Sequence, residues 1–533
     1  MRLTLALVVL AGCSGRATPA THTPAPVGTV EFRTSCVPSV RTEINQAVAL
    51  LHHMTYTQAR AAFRDVAAHD PRCAMAHWGI AMTLFTPLWP TRPSPAELQA
   101  GWQAAQRARE LAAPTPRERA FVDAVVAFFE HPESTDYWAR IDRWEKAMKA
   151  VYDANRDDVE AATFYALALL ATARPGPTMQ QHSEQAIALL RPIHRAHPDH
   201  PGAMHYIIHA NDIPGREHED LDVVRRYEQV APDNPHALHM PTHIYTRLGD
   251  WDGVIRGNLR AAEAALRYPT GEHGELVWDE FPHAIEYLVY AYLQQGADTK
   301  ARAQIDRLLA TPKLEPSAKT AFHLASTRAR YALERHAWAE AAALVPGEPA
   351  IVDWKKFPWP ESVMWFARGY GAVRSGDTTE PPRALAKLQE LEQRATTAGE
   401  AVFARQIQML RLMLAGWSAH AAHDDAKAIA LLQQAVELEG STPKPPVTPA
   451  ATLPAGEVLG DLLLELGRAD DALAAYRVAL QRFPRRFNTT LGVARALAAK
   501  RDDAGAAQAY CDLLAIGPAS ERALDEARAR CKR

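Results

Sequence analysis

DALAAYRVALQRFP (471–484) and GAAQAYCDLLAIGP (505–518) are one phrase written twice. Ala472, Tyr476 and Pro484 of the first recur as Ala506, Tyr510 and Pro518 of the second, each 34 residues on. The apolar residues of both fall at helical spacing. A small residue lets two helices approach, an aromatic one turn later fills the space between them, and a proline without an N–H stops the helix. A fixed period of this length, built from helix pairs, predicts stacked repeats rather than one compact core.

The register extends outward from this pair. One unit starts at Leu453 and the next at Phe487, while Ala428, Leu432 and Ala435 fit the unit before, across the proline-rich STPKPPVTPAATLP. At the other end Ala59, Phe63 and Pro71 occupy positions 20, 24 and 32 of a unit beginning at Val40. Pro198 and Pro232, again 34 apart, give units 201–234 and 235–268, and a further unit starts near Pro282. Segments 94–152 and 314–405 are helical by pattern but fit the register poorly, and no run reads as a strand with hairpin turns. Thirty-four residues is the length of a tetratricopeptide repeat (TPR). The expectation is an all-α TPR-type solenoid: an array over 36–440, an insertion at 441–453 and C-terminal repeats over 454–533. The concave face of such a superhelix usually binds peptides or partner proteins.

The chain has 533 residues, 47% hydrophobic and 23% charged, with a formal net charge of −3. That balance offers no basic footprint for nucleic acid and no polybasic membrane patch. The first residues, MRLTLALVVLAGC, place Arg2 before an apolar run too short to span a bilayer, as in a signal peptide. Leu10-Ala11-Gly12-Cys13 resembles the bacterial lipobox, which implies removal of residues 1–12, lipidation of Cys13 and anchorage on the periplasmic face of the envelope. Ser14 after the cysteine resembles sorting to the outer membrane. Small, polar and proline-rich residues follow, so 13–35 reads as a flexible tether. Cys36, Cys73, Cys511 and Cys531 remain, an even number that permits two disulfides in an oxidising compartment. Cys36–Cys73 and Cys511–Cys531 are the local pairings, and other connectivities stay open.

Two segments carry the chemistry: PGAMHYIIHAND (201–212) and PHALHMPTHIYTRLGDWD (235–252). Each holds a His-x-x-x-His pair, His205/His209 and His239/His243, and residues four apart share a helix face. The pairs are themselves 34 residues apart, so all four histidines occupy positions 5 and 9 of adjacent units. Facing helices pack roughly 10 Å apart, close enough for the imidazoles to meet at one or two metal ions. The register adds Glu160 at position 5 of the preceding unit, and Glu286 at position 5 with His283 at position 2 of the following one; His236 also sits at position 2. Asp212 is a candidate to orient a ring, and with Tyr290 a candidate acid or base. Zinc, copper and iron all suit this donor set. A hydrogen-bonded network or plain packing of a duplicated histidine face are the alternatives. Pro241 should bend the second histidine helix.

His52 and His53 read as a surface turn, and His182, His194, His197 and His200 as solvent-exposed. Trp78, Trp89, Trp251, Trp278 and Trp354 read as packing residues. No phosphate loop, G-x-S-x-G elbow or H-E-x-x-H motif is present.

AVALLHHMTYTQARAAF, DPRCAMAHWGIAM, HYIIHAND and HMPTHIYTRLGDW together resemble a group of large bacterial TPR lipoproteins, from about Cys36 to the C-terminus. The resemblance implies the repeat fold and the envelope location, and no particular reaction. Three functions compete: a periplasm-facing binding or scaffold protein with a transition metal in its groove, a dinuclear metalloenzyme, and a metal-free peptide-binding solenoid.

Overall fold

The computed structural model describes residues 26–533 except 90, 91, 175, 176, 446, 519, 523, 532 and 533. The expected signal peptide and the expected lipidation site Cys13 lie outside the described residues. Among those residues the chain runs helix after helix, with two isolated β-bridges, Thr270 to Leu276 and Val277 to Leu314, and no strand. No helix among them is long and apolar enough to cross a membrane.

Tyr476 shows why the 34-residue phrase makes a stack. It lies on the helix Ala469–Arg482, between Ala455–Glu465 of its own pair and Phe487–Ala499 of the next. A Cβ on Gly460 would come within 2.6 Å of its ring, and one on Gly492 within 2.4 Å. The ring therefore fills a space that only glycine leaves open on either side. Ala472 is fully buried, and Pro484 follows the helix end at Arg482.

The superhelix closes on itself. Trp251 Nε1 donates to the Arg485 carbonyl (3.1 Å), the Phe487 N–H to Gln294 Oε1 (3.0 Å) and the Glu521 N–H to the Gly296 carbonyl (2.9 Å). The C-terminal repeats thus dock on helices Trp251–Ala265 and Glu280–Gln294. The apolar core forms two large clusters, over 30–244 and 238–527, which meet at the second histidine segment, and a smaller one where Trp251 and Tyr290 meet Phe483 and Ile516.

The described end of the tether read as flexible and the proline-rich insertion are both packed. Val30 and Phe32 of the expected tether are buried, and the Phe32 ring stacks on Trp78 at 5.0 Å. In the insertion, Val447, Thr448, Ala450 and Leu453 are buried inside the superhelix. Arg330 holds it there, donating to the carbonyls of Ala450 (2.5 Å) and Ala451 (2.6 Å) and to Thr448 Oγ1 (3.0 Å). Cys36 is joined to Cys73 and Cys511 to Cys531.

Candidate metal centre

His200 caps the helix Pro201–Asn211 and Asn234 the helix Pro235–His239. The second histidine segment breaks at Met240 and resumes as Pro241–Leu248, so His239 and His243 sit on either side of the bend that the proline imposes.

The four histidines do not form one set. The structure brings together two trios, His205, His209 and His236, and His239, His243 and His283, each with ligand atoms within 4.8 Å of one another. Both are built alike: positions 5 and 9 of one unit and position 2 of the next. The position-2 histidine follows the first of its trio by 31 residues in one and 44 in the other, the extra length lying in the loop 266–279. His236 belongs to the site although the register reading placed it outside the ligand set. Its position, shared with His283, was the signal.

Second partners decide the tautomers. His205 Nδ1 donates to the His52 carbonyl (2.6 Å), His239 Nδ1 to Asn258 Oδ1 (2.7 Å), His243 Nδ1 to Asp212 (2.9 Å) and His236 Nδ1 to Glu280 (3.3 Å). Asn258 spends its own amide N–H on the Val254 carbonyl (2.9 Å), which leaves Oδ1 as acceptor. With the proton on Nδ1, a neutral imidazole presents its lone pair at Nε2. These lone pairs face each other, His205 to His236 at 3.1 Å and His239 to His243 at 2.9 Å. Two acceptors at that distance repel unless a cation lies between them. Nitrogens each about 2.0–2.1 Å from one metal ion lie about 3 Å apart. His209 Nε2 and His283 Nδ1 are buried without a hydrogen-bond partner. Burial pushes His205, His239 and His283 well below the usual imidazole range and His209 down to about 3, and neighbouring imidazoles add to each shift.

The trios adjoin, with rings 6.3 Å apart at His236 and His239 and 6.4 Å at His209 and His243. A space of about 30 Å³ among His209, His236, His243 and His283 is also lined by Trp89, Lys319 and Val447. Lys319 pairs with Glu280 and with Asp279 (3.0 Å) and lies 3.8 Å over the Trp89 ring. Burial alone would raise the Glu280 carboxyl, but Lys319 and His236 hold it well below the carboxylate range.

Three expected members lie elsewhere. Glu160 accepts from His52 Nε2 (2.8 Å) and His200 Nε2 (3.0 Å). His52 Nδ1 is taken by the Tyr206 hydroxyl (3.0 Å) and His200 Nδ1 by the Ala203 N–H (3.1 Å), so that cluster has no free imidazole lone pair for a metal. Glu286, on the same helix as His283, accepts from His323 (2.7 Å), Ser326 (2.6 Å) and Arg330 (3.4 Å) of the helix Ala318–Glu334. Tyr290 turns toward Arg486 (3.4 Å); Tyr287, unmarked in the sequence, is the tyrosine at the site, its hydroxyl 3.4 Å from His243 Nε2. His52, His53 and His200, expected at the surface, are buried. The helix Val159–Thr172 and the N-terminal segment cover them, which no single repeat reveals. Asp212 also binds Arg247 (2.5 Å). Cys36 and Cys73 cluster with Asp70, but the disulfide leaves no thiolate there.

Among known proteins, the tetratricopeptide repeat profile matches residues 45–86 and 458–521. No curated protein matches. Similar solved structures include the APC/C hetero-tetramer Cut9–Hcn1, 15% identical over 92% of this chain and 89% of that one, with a TM-score of 0.29. Another is the human IFIT1 dimer with PPP-AAAA, 12% identical over 79% and 87%, with a TM-score of 0.36. At these scores the likeness says nothing about what this chain binds. The family profile and the stacked helix pairs together make the chain an all-α, TPR-type solenoid.

Proposed function

We propose that the protein is a TPR-type solenoid whose interior holds two neighbouring transition-metal ions, one on each histidine trio, as a dinuclear metal centre. The single observation that carries this is the pair of facing Nε2 lone pairs, 3.1 Å and 2.9 Å apart, with each Nδ1 committed to an acceptor behind it. For His239 and His243 the alternative, a proton shared between the rings, charges a pair that burial pushes below the usual imidazole range.

Three imidazoles per ion match sites that keep a coordination position open for water or substrate, so we favour a metalloenzyme over a closed structural site. Such an ion would supply a Lewis acid, or a redox centre if it is copper or iron. The chain's own residues orient the rings through Asp212, Glu280 and Asn258, exclude bulk water with Trp89 and Val447, and set the Tyr287 hydroxyl beside His243. Peptide binding at the histidine face has less support, because the chain's own insertion covers it; a protein partner would take another part of the solenoid. We further propose anchorage through Cys13 on the periplasmic face, to which two disulfides are suited.

Mass spectrometry of the intact protein under native conditions tests the centre. Two equivalents of zinc, copper or iron are expected, with one lost in His209→Ala and one in His283→Ala. No bound metal after reconstitution, or full metal content in both variants, overturns the proposal.

A further inference from the structure

Beside the trios lies a cleft of about 430 Å³, within the range of small-molecule sites. His209 and Asp212 are among its lining residues, and Leu88, Leu170, Met179 and Phe483 give it apolar walls. Three cations line it, Arg247, Lys444 and Arg482, against one carboxylate, Asp212. Arg247 is matched by that carboxylate at 2.5 Å. The other two have only neutral oxygens as hydrogen-bond partners: Lys444 donates to the Thr448 carbonyl (2.8 Å), Arg482 to the carbonyls of Glu439 and Thr442 (2.5 Å each). Of the nearby carboxyls, burial pushes Glu439 up to about 7, so it offsets Arg482 only in part at neutral pH. Burial likewise pushes Lys444 down to about 8, against the pull of Asp212. The ammonium has three donors and one protein acceptor, so it can still bind a ligand oxygen.

We infer that this cleft binds a small organic acid: a carboxylate held by Lys444 and Arg482, with an apolar body against Phe483, Leu88 and Leu170. The walls suit the body, and the cationic charge, only partly offset by Asp212, Glu286 and Glu439, suits the acid group. The proposal deepens the metal reading, on which it rests for the ligand's role as substrate, since His209 and Asp212 join the cleft to the trios. Binding of the acid itself does not require the metal.

Calorimetric titration of the full chain with benzoate, and with the neutral isostere benzamide, tests it, both as purified and after chelation. Benzoate should bind saturably in the millimolar range or tighter, with benzamide about tenfold weaker or more. Lys444→Met should weaken benzoate about tenfold, and Lys444→Arg should keep most of the affinity. Absence of saturable benzoate binding, equal affinity for the two probes, or an unaffected Lys444→Met variant overturns the inference. The comparison of probes uses the unaltered protein, so it stands if a variant fails to fold. Metal analysis of the protein before chelation and after reconstitution is separate: saturable benzoate binding in protein that takes up no metal even on reconstitution defeats the dinuclear centre and keeps the acid site.

Discussion

His53 is buried with both ring nitrogens paired: Nε2 donates to the Val27 carbonyl (3.0 Å), and the Tyr227 hydroxyl donates to Nδ1 (2.7 Å). Burial pushes its pKa from 6.5 down to about 3. Below pH 6.5 the unfolded chain takes up a proton that the folded chain refuses, so stability falls as the pH drops through that window. The slope from one such residue approaches about 1.4 kcal/mol per pH unit. Thermal unfolding between pH 7 and 5 should therefore show a shallower pH dependence in His53→Gln than in the unaltered protein; equal slopes would exclude this role. Nearby, a Cβ on Gly202 would meet His52 Nδ1 at 2.5 Å. Gly202→Ala should cost about 1–3 kcal/mol, read by denaturant unfolding, because His52 is fixed by Tyr206 and Glu160 and cannot yield freely. At this scale the sequence reveals what repeats. Five of the six clustered imidazoles stood in the proposed ligand set, and His236 could be read from the position it shares with His283. Glu160 and Glu286 share a register position with ligands yet bind other partners, because register fixes a backbone site and neighbouring helices decide what the side chain meets.

The insertion 441–453 is the element whose composition misleads most. Prolines argue for a loop, and the backbone is one, but Val447 lines the histidine space and Arg330 ties the segment to the helix Ala318–Glu334. Arg330→Met would leave the carbonyls of Ala450 and Ala451 and the Glu286 carboxylate without their buried cation. Loss of such a buried charge partner costs about 3–5 kcal/mol. Limited proteolysis should then cut within 441–453 well before the rest of the chain, whereas unchanged resistance would show that the arginine does not hold the strap. The break at Met240 was legible, since proline inside a helix removes a backbone hydrogen bond. The burial of the strap was not, because its partners lie about 120 residues earlier in the chain.

Over the whole molecule the stack was read from spacing alone: Tyr476 between Gly460 and Gly492 is the physical content of the 34-residue phrase. The closure of the superhelix was invisible, since contacts such as Trp251 with Arg485 follow from the summed rotation of many repeats. Both disulfides staple ends of this array, Cys36 to Cys73 across 37 residues and Cys511 to Cys531 across 20. Breaking the first, in a Cys36→Ala/Cys73→Ala variant, should cost about 3–4 kcal/mol and lower the unfolding midpoint in denaturant. An unchanged midpoint would mean that the N-terminal units are held by packing alone.

The dinuclear centre is the claim on which the rest of the functional account depends, and X-ray absorption at the metal edge of the purified protein tests it most directly. Three imidazole nitrogens per ion, at about 2.0–2.1 Å, are predicted for zinc. A ligand shell of oxygen or sulfur without imidazole, or no metal in the protein, would contradict it.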